Sequence, residues 1–182
     1  MAKPPRRWNP KLVPLVTALI GPIRRARAKK LCGLIEYDIR GAEIVRDLLD
    51  EKAGVMVIPN HPSHADAYAI GEAGRKAKTA FYYMAAWNVF DQTDLLGRAV
   101  LQLNGVFSID REGVDRQAFK TARDILVEKK QPLVIFPEGE VYHCNDRVTP
   151  FREGAVAIAL SAARKANRRI YMVPAAIKYE FI

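Results

Sequence analysis

Cysteine is scarce in this chain, with only Cys32 and Cys144 among 182 residues. Two thiols without paired spacing exclude a disulfide scaffold and a cysteine-built structural zinc site, and they fit a reducing, cytoplasmic setting. No Gly-x-Ser-x-Gly occurs, which excludes the nucleophile elbow of a serine hydrolase. Neither Gly-x4-Gly-Lys-Ser/Thr nor Gly-x-Gly-x-x-Gly occurs, which argues against a nucleotide-binding protein with a glycine-rich phosphate loop. Internal repeats and low-complexity linkers are missing as well. The first 30 positions contain no acidic residue, and no apolar run is long enough to cross a bilayer.

Those two N-terminal absences belong together. Lys3, Arg6, Arg7, Lys11, Arg24, Arg25, Arg27, Lys29 and Lys30 account for the whole net charge of +9, since without these nine the 29 basic residues fall to 20, against 20 acidic ones. Inside this arm Leu12 to Ile23 is nearly all apolar, with Pro14 and Pro22 and basic flanks. As a helix it spans about 18 Å at about 1.5 Å per residue, against about 30 Å of bilayer hydrocarbon. An element lying in the interface of an anionic membrane fits this pattern better than a nucleic-acid arm, which rarely carries such a greasy stretch. A secretory signal is disfavoured by Arg24 and Arg25 just before Ala26-Arg27-Ala28. A transit peptide and a helical hairpin docked on a soluble domain are the alternatives.

The other residues read as one domain, because 49% hydrophobic composition in 182 residues is ample for a core. Strand candidates at 55–58, 81–85, 106–109, 133–136 and 170–177 alternate with helix candidates near 44–49, 64–76, 93–103, 113–130 and 152–167. Continuous apolar strands separated by helices predict an α/β fold with a largely parallel central sheet flanked by helices. The organisation expected is a docking segment over 1–34 and a domain over 35–182. The chain stops at Tyr179-Glu180-Phe181-Ile182 directly after an apolar strand, so C-terminal truncation is an expectation.

Three strand ends carry polar residues suited to chemistry. After the first lies Asn60-His61-Pro62-Ser63-His64-Ala65-Asp66, where Ser63 is placed to cap a helix with Asp66 at its third position. The Asp66 carboxylate then folds back toward His61, orients one ring nitrogen and leaves the other to take a hydroxyl proton. His64 is a second candidate base. A metal site from His61, His64 and Asp66 lacks an evident fourth ligand. After the third strand, Asp110-Arg111 brings a guanidinium able to clamp a phosphate in bidentate fashion, or to pair with Asp110 or Glu112 on the surface. After the fourth, Phe136-Pro137-Glu138-Gly139-Glu140 offers Glu138 as an acceptor for a substrate hydroxyl and Gly139 for close approach of backbone.

In this order the segments resemble the glycerolipid acyltransferase family, which includes 1-acylglycerol-3-phosphate O-acyltransferases. The resemblance spans roughly residues 35 to 180. It rests on Asn60, His61 and Asp66; on Gly105, Asp110 and Arg111; on Phe136 to Gly139; on Val173-Pro174; and on Phe151 with Gly154-Ala155. It implies that His61 deprotonates an acceptor hydroxyl with support from Asp66. Arg111, Glu138 and Gly139, with Asp110 and Ser63, are implied to bind the acceptor. Two departures stand out. Glu140-Val141-Tyr142 occupies the place where the family often has Thr-Arg-Ser, which removes a cation and adds an acid, and Ser108 replaces a bulky apolar residue.

The resulting expectation is an acyltransferase at the cytoplasmic face of a membrane, peripheral or monotopic. It moves a fatty acyl group from acyl-CoA or acyl-carrier protein to a lysophospholipid, foremost lysophosphatidic acid. No metal, no bound cofactor and no nucleic acid are expected. A non-catalytic lipid-binding or tethering protein of the same fold is the alternative.

Overall fold

Side chains along a strand alternate in direction, so a run such as Val55-Met56-Val57 must feed two cores at once. In the computed structural model, which describes residues 7–180, this is the outcome. Val55 and Val57 join one buried cluster with Val45, Leu49, Ile70 and Phe81. Met56 joins a second with Phe107, Ala122, Ile125, Leu126, Ile158 and Ala159. A sheet buried on both faces with a helical layer on each side is the three-layer α/β arrangement.

In chain order the elements are α1 (Pro14–Leu19), α2 (Gly21–Cys32), α3 (Ala42–Asp50), β1 (Gly54–Pro59), α4 (Asp66–Lys76), β2 (Tyr82–Ala86), α5 (Asn88–Asp91), α6 (Leu95–Leu103), β3 (Val106–Ile109), α7 (Arg116–Glu128), β4 (Leu133–Val134), α8 (Gly154–Lys165) and β5 (Ile170–Ala175). The five strands are all parallel, in the order β3-β2-β4-β1-β5. Every strand therefore ends at the same edge, where ligand sites of open parallel sheets form. Helices α3 and α4 contribute to the first cluster, α7 and α8 to the second.

Boundaries differ from expectation where local chemistry intervenes. The strand at 133–136 is short because Pro137 has no N–H, and after Ile135 N donates to Val57 O (3.1 Å) the chain turns away. Helix α7 starts at 116 rather than near 113, since the Asp115 carboxylate caps it by accepting from the N–H groups of Gln117 and Ala118. The short α5 was not anticipated, being too brief to show periodicity.

The N-terminal segment is a pair of short consecutive helices fastened to the domain. Lys3 and Arg6 of the basic arm, and Phe181-Ile182, lie outside the described residues. Trp8 and Ser108 exchange hydrogen bonds, Trp8 N to Ser108 Oγ (2.9 Å) and Ser108 N to Trp8 O (3.0 Å), which gives the unusual serine a purpose. Lys11 N and Val13 N donate to Gln102 O and Leu103 O. Helix α2 docks on α4 through its own basic residues: Arg24 Nη2 donates to Gly71 O (3.2 Å), and Arg25 Nη2 to the buried Glu72 carboxylate (2.5 Å). So Arg24 and Arg25 serve the fold, and the apolar run breaks into two helices at Ile20-Gly21-Pro22. Leu15, Leu19 and Ile23 stay exposed. Among the described residues no helix is long and apolar enough to cross a membrane.

Burial pushes the Glu72 carboxyl up, but hydrogen bonds from Arg25 and Arg75 prevail and hold it below its ordinary value. A carboxylate lowered on folding stabilises the protein above the ordinary glutamate range and loses that contribution as pH falls through the lowered value. Glu72→Gln is therefore expected to lower stability by about 1–3 kcal/mol at neutral pH. The gap from wild type should narrow as pH falls below the ordinary glutamate range and close once pH has passed the lowered value. Denaturant unfolding of both proteins at several pH values checks this.

Candidate active site

The loop after β1 is held from three directions. Asn60 Nδ2 donates to Ile177 O (3.0 Å) and Asn60 Oδ1 accepts from Ile177 N (2.6 Å), tying this loop to the segment beyond β5. His61 N donates to Glu138 Oε1 (2.8 Å), in the loop after β4. The His61 ring lies flat on Phe136, with centroids 4.0 Å apart. Because β1 sits between β4 and β5, the loops beyond its two neighbours are the ones within reach.

Asp66 is fully buried at the start of α4, and its Oδ2 lies 2.7 Å from His61 Nδ1. The same oxygen accepts from Ser63 N (3.0 Å), while Oδ1 accepts from the Tyr179 hydroxyl (2.5 Å). Burial, reinforced by the hydrogen bond to Asp66, pushes the Tyr179 hydroxyl well up, so it stays protonated and donates. Every neighbour of the carboxylate is thus a donor, which assigns the His61 proton to Nδ1 and the lone pair to Nε2. The His61 side chain is 20% exposed, against 0% for Asp66. A buried acceptor behind a partly open imidazole is an arrangement suited to removing a proton from a bound hydroxyl.

The capping expectation is half right. Asp66 does fold back to Ser63 N, but the Ser63 hydroxyl accepts from Ala65 N (3.1 Å), and α4 begins at Asp66 with Ala65 at its cap position. His64 is exposed, apart from Asp66, with its ring edge-on to His143 at 5.2 Å. Among the described residues no group of His, Cys, Asp or Glu is placed to hold a metal ion.

Glu138 is buried, and its second oxygen accepts from the N–H (3.2 Å) and hydroxyl of Thr149. Both oxygens are therefore engaged within the protein, behind His61, rather than presented to a ligand. Asp110 Oδ1 accepts from Glu112 N (3.0 Å), a turn contact, and Asp110 N donates to Asp115 Oδ2. Arg111 reaches across to donate to Gly139 O. It lines a cleft of about 210 Å³ with Trp87, Asn88, Glu112, Glu140 and Arg152. A larger cleft, about 350 Å³, lies between residues 10–12 and α7 where β2 begins, away from the strand ends that carry His61.

With this geometry in place, comparison with known families is decisive: a family model described as acyltransferase matches residues 37–178. The chain belongs to the glycerolipid acyltransferase family. The match takes in β1 through β5 and the strand-end residues above except Tyr179, and it begins after α2. No curated protein matches the chain. Acyl transfer is accordingly the reaction class of this domain.

Four residues of this acyltransferase site escaped sequence reasoning. Tyr179 lies far along the chain from Asp66 in a segment without a motif. Thr149 and Arg152 sit in the β4–α8 connection beside Phe151, which belongs to the resemblance, but neither is itself one of the residues that carry it. Phe136 was visible as part of a motif, but its role as the platform under His61 needs the fold.

Proposed function

We propose that this acyltransferase esterifies the free hydroxyl of a phosphate-bearing lysophospholipid, foremost lysophosphatidic acid, with a fatty acyl group from acyl-CoA or acyl-carrier protein. The observation that supports this reading best is the His61 ring anchored through Nδ1 to a buried carboxylate, with Nε2 left for a substrate proton. In the proposed step Nε2 takes the acceptor's hydroxyl proton as its oxygen attacks the thioester carbonyl. Collapse of the tetrahedral intermediate forms the ester C–O bond and breaks the C–S bond. The departing thiolate receives the proton from His61, so no acyl-enzyme forms. Arg111 would hold the acceptor's phosphate, a group suited to the planar fork of a guanidinium. The test is incubation with a panel of lysolipids and both donor types, with products identified by mass. A new diacyl product that carries phosphate is expected. Binding of lysolipid without product from any acceptor would instead favour a non-catalytic lipid-binding role.

We further propose that the α1–α2 segment rests on the anionic cytoplasmic leaflet. Leu15, Leu19 and Ile23 are 68%, 68% and 63% exposed, and Lys11, Arg27, Lys29 and Lys30 supply positive charge nearby in sequence. Deleting residues 1 to 30 would also remove the Arg24 and Arg25 contacts with α4, so substitution on the exposed side is the cleaner test. L15S/L19S/I23S is expected to weaken binding to anionic vesicles at least about 10²-fold, each lost side chain forfeiting about 1 kcal/mol or more of apolar burial. The thermal midpoint should change little. For the unaltered protein, rising salt should weaken binding without abolishing it, because only the charge contribution is screened. Co-sedimentation with anionic and neutral vesicles reads both effects, and equal binding by the two forms refutes the docking role.

A further inference from the structure

One cation at the strand ends has no part in the reading above. Arg152 precedes α8, and its N–H donates to Pro137 O (2.8 Å), which folds the end of the β4–α8 connection back onto its start. Its side chain lies over Gly139 so closely that a Cβ there would stand 2.5 Å from Arg152 Nε and 2.7 Å from Cδ. Gly139 also has φ +79°, a conformation that other residues rarely adopt. Arg111 donates to Gly139 O, so two guanidinium groups from separate loops converge on one glycine and line one cleft.

We propose that Arg152 is a second positioning residue for the phosphate of the acceptor, acting with Arg111, and that Glu140 is its built-in competitor. The inference rests on a phosphate-bearing acceptor, as proposed above. Arg152 Nη2 is 3.6 Å from Glu140 Oε1, and the two side chains are 54% and 56% exposed. Exposed ion pairs of this kind hold weakly. A phosphate can offer a guanidinium two parallel charge-assisted hydrogen bonds and so displace the carboxylate. Two bracketing arginines grip such a group from two sides, which a single Arg111 cannot do. Glu140 and Glu112 line the cleft beside the two arginines, so the four side chains sum to no formal charge, and Arg152 is the one paired to a carboxylate that a ligand would have to displace. Selectivity for phosphate is thereby set by how readily Glu140 yields.

The experiment uses the full chain, with sn-glycerol 3-phosphate as a soluble probe in calorimetric titration, and acyl-transfer kinetics beside it. Arg152→Gln and Arg111→Gln should each weaken probe binding about tenfold or more. Arg152→Gln should raise the KM for the phosphate-bearing acceptor while leaving kcat and the donor KM nearly unchanged. Glu140→Gln should act oppositely, tightening the probe several-fold, and E140Q/R152Q should behave like Arg152→Gln alone. Probe binding by Arg152→Gln equal to that of the parent protein overturns the proposal. So does a parent protein that binds no probe, even where it acylates a phosphate-free hydroxyl, an outcome that leaves acyl transfer itself standing. Probe binding that follows the expected pattern in a protein without turnover supports the anion site and counts against the catalytic reading instead.

Discussion

His61→Ala is expected to lower turnover by about 10²- to 10⁴-fold, the usual contribution of a positioned general base. Stability should fall far less, because the His61 side chain is partly open and its backbone N–H still reaches Glu138. His64→Ala serves as the control. That ring is exposed and faces His143 rather than a carboxylate, so its loss should change turnover by no more than a few-fold. Steady-state kinetics with thermal unfolding of both variants decides the matter, and a reversed order would move the base to His64.

Asp66→Ala should cost turnover on the same scale as His61→Ala, about 10²- to 10⁴-fold, and should destabilise the protein as well. Its removal leaves Ser63 N and the Tyr179 hydroxyl without a buried acceptor, at about 1–3 kcal/mol for each unsatisfied group. Asp66→Asn should be milder on both counts. Ser63 N and His61 Nδ1 call for the amide oxygen on their side, and the Tyr179 hydroxyl can turn to accept from the amide nitrogen. The ring then keeps its orientation and loses only the charge that stabilises its protonated form. If His61 and Asp66 act as one unit, H61A/D66A should be no slower than H61A. A double variant that loses the product of the two single effects would show that Asp66 acts independently of the imidazole.

Much of this protein was legible because its strands are short, apolar and punctuated. The runs at 55–58 and 106–109 had to be buried somewhere, and helical spacing between them left a parallel sheet as the consistent layout. The pairing of His61 with Asp66 was also readable, since a loop entering a helix places residues i and i+5 within reach of one another. The extent of α4 and the role of the Ser63 hydroxyl were less so. A hydroxyl can satisfy Ala65 N or Asp66 N at nearly equal local cost, and the surrounding bonds decide. The N-terminal segment reads in the sequence as a basic, apolar interfacial element, with a docked hairpin as the alternative. Its contacts with α4 are not legible there, because charge composition says nothing about partners and Glu72, which takes up Arg25 and Arg75, is an ordinary helical glutamate in the sequence.

By itself the sequence determined which residues could be chemical: the imidazole, the carboxylate five residues on, and the motifs at the ends of β3 and β4. Those follow from local rules, in which spacing and residue type are sufficient. Only the tertiary structure decided how they cooperate. The order β3-β2-β4-β1-β5 sets β1 between β4 and β5, which places Glu138 against the His61 backbone and Tyr179 against Asp66. It turned Glu138 inward and brought Arg152 over Gly139. Contacts between residues far apart in the chain depend on which strands are neighbours, and a pattern of local periodicities is compatible with many strand orders.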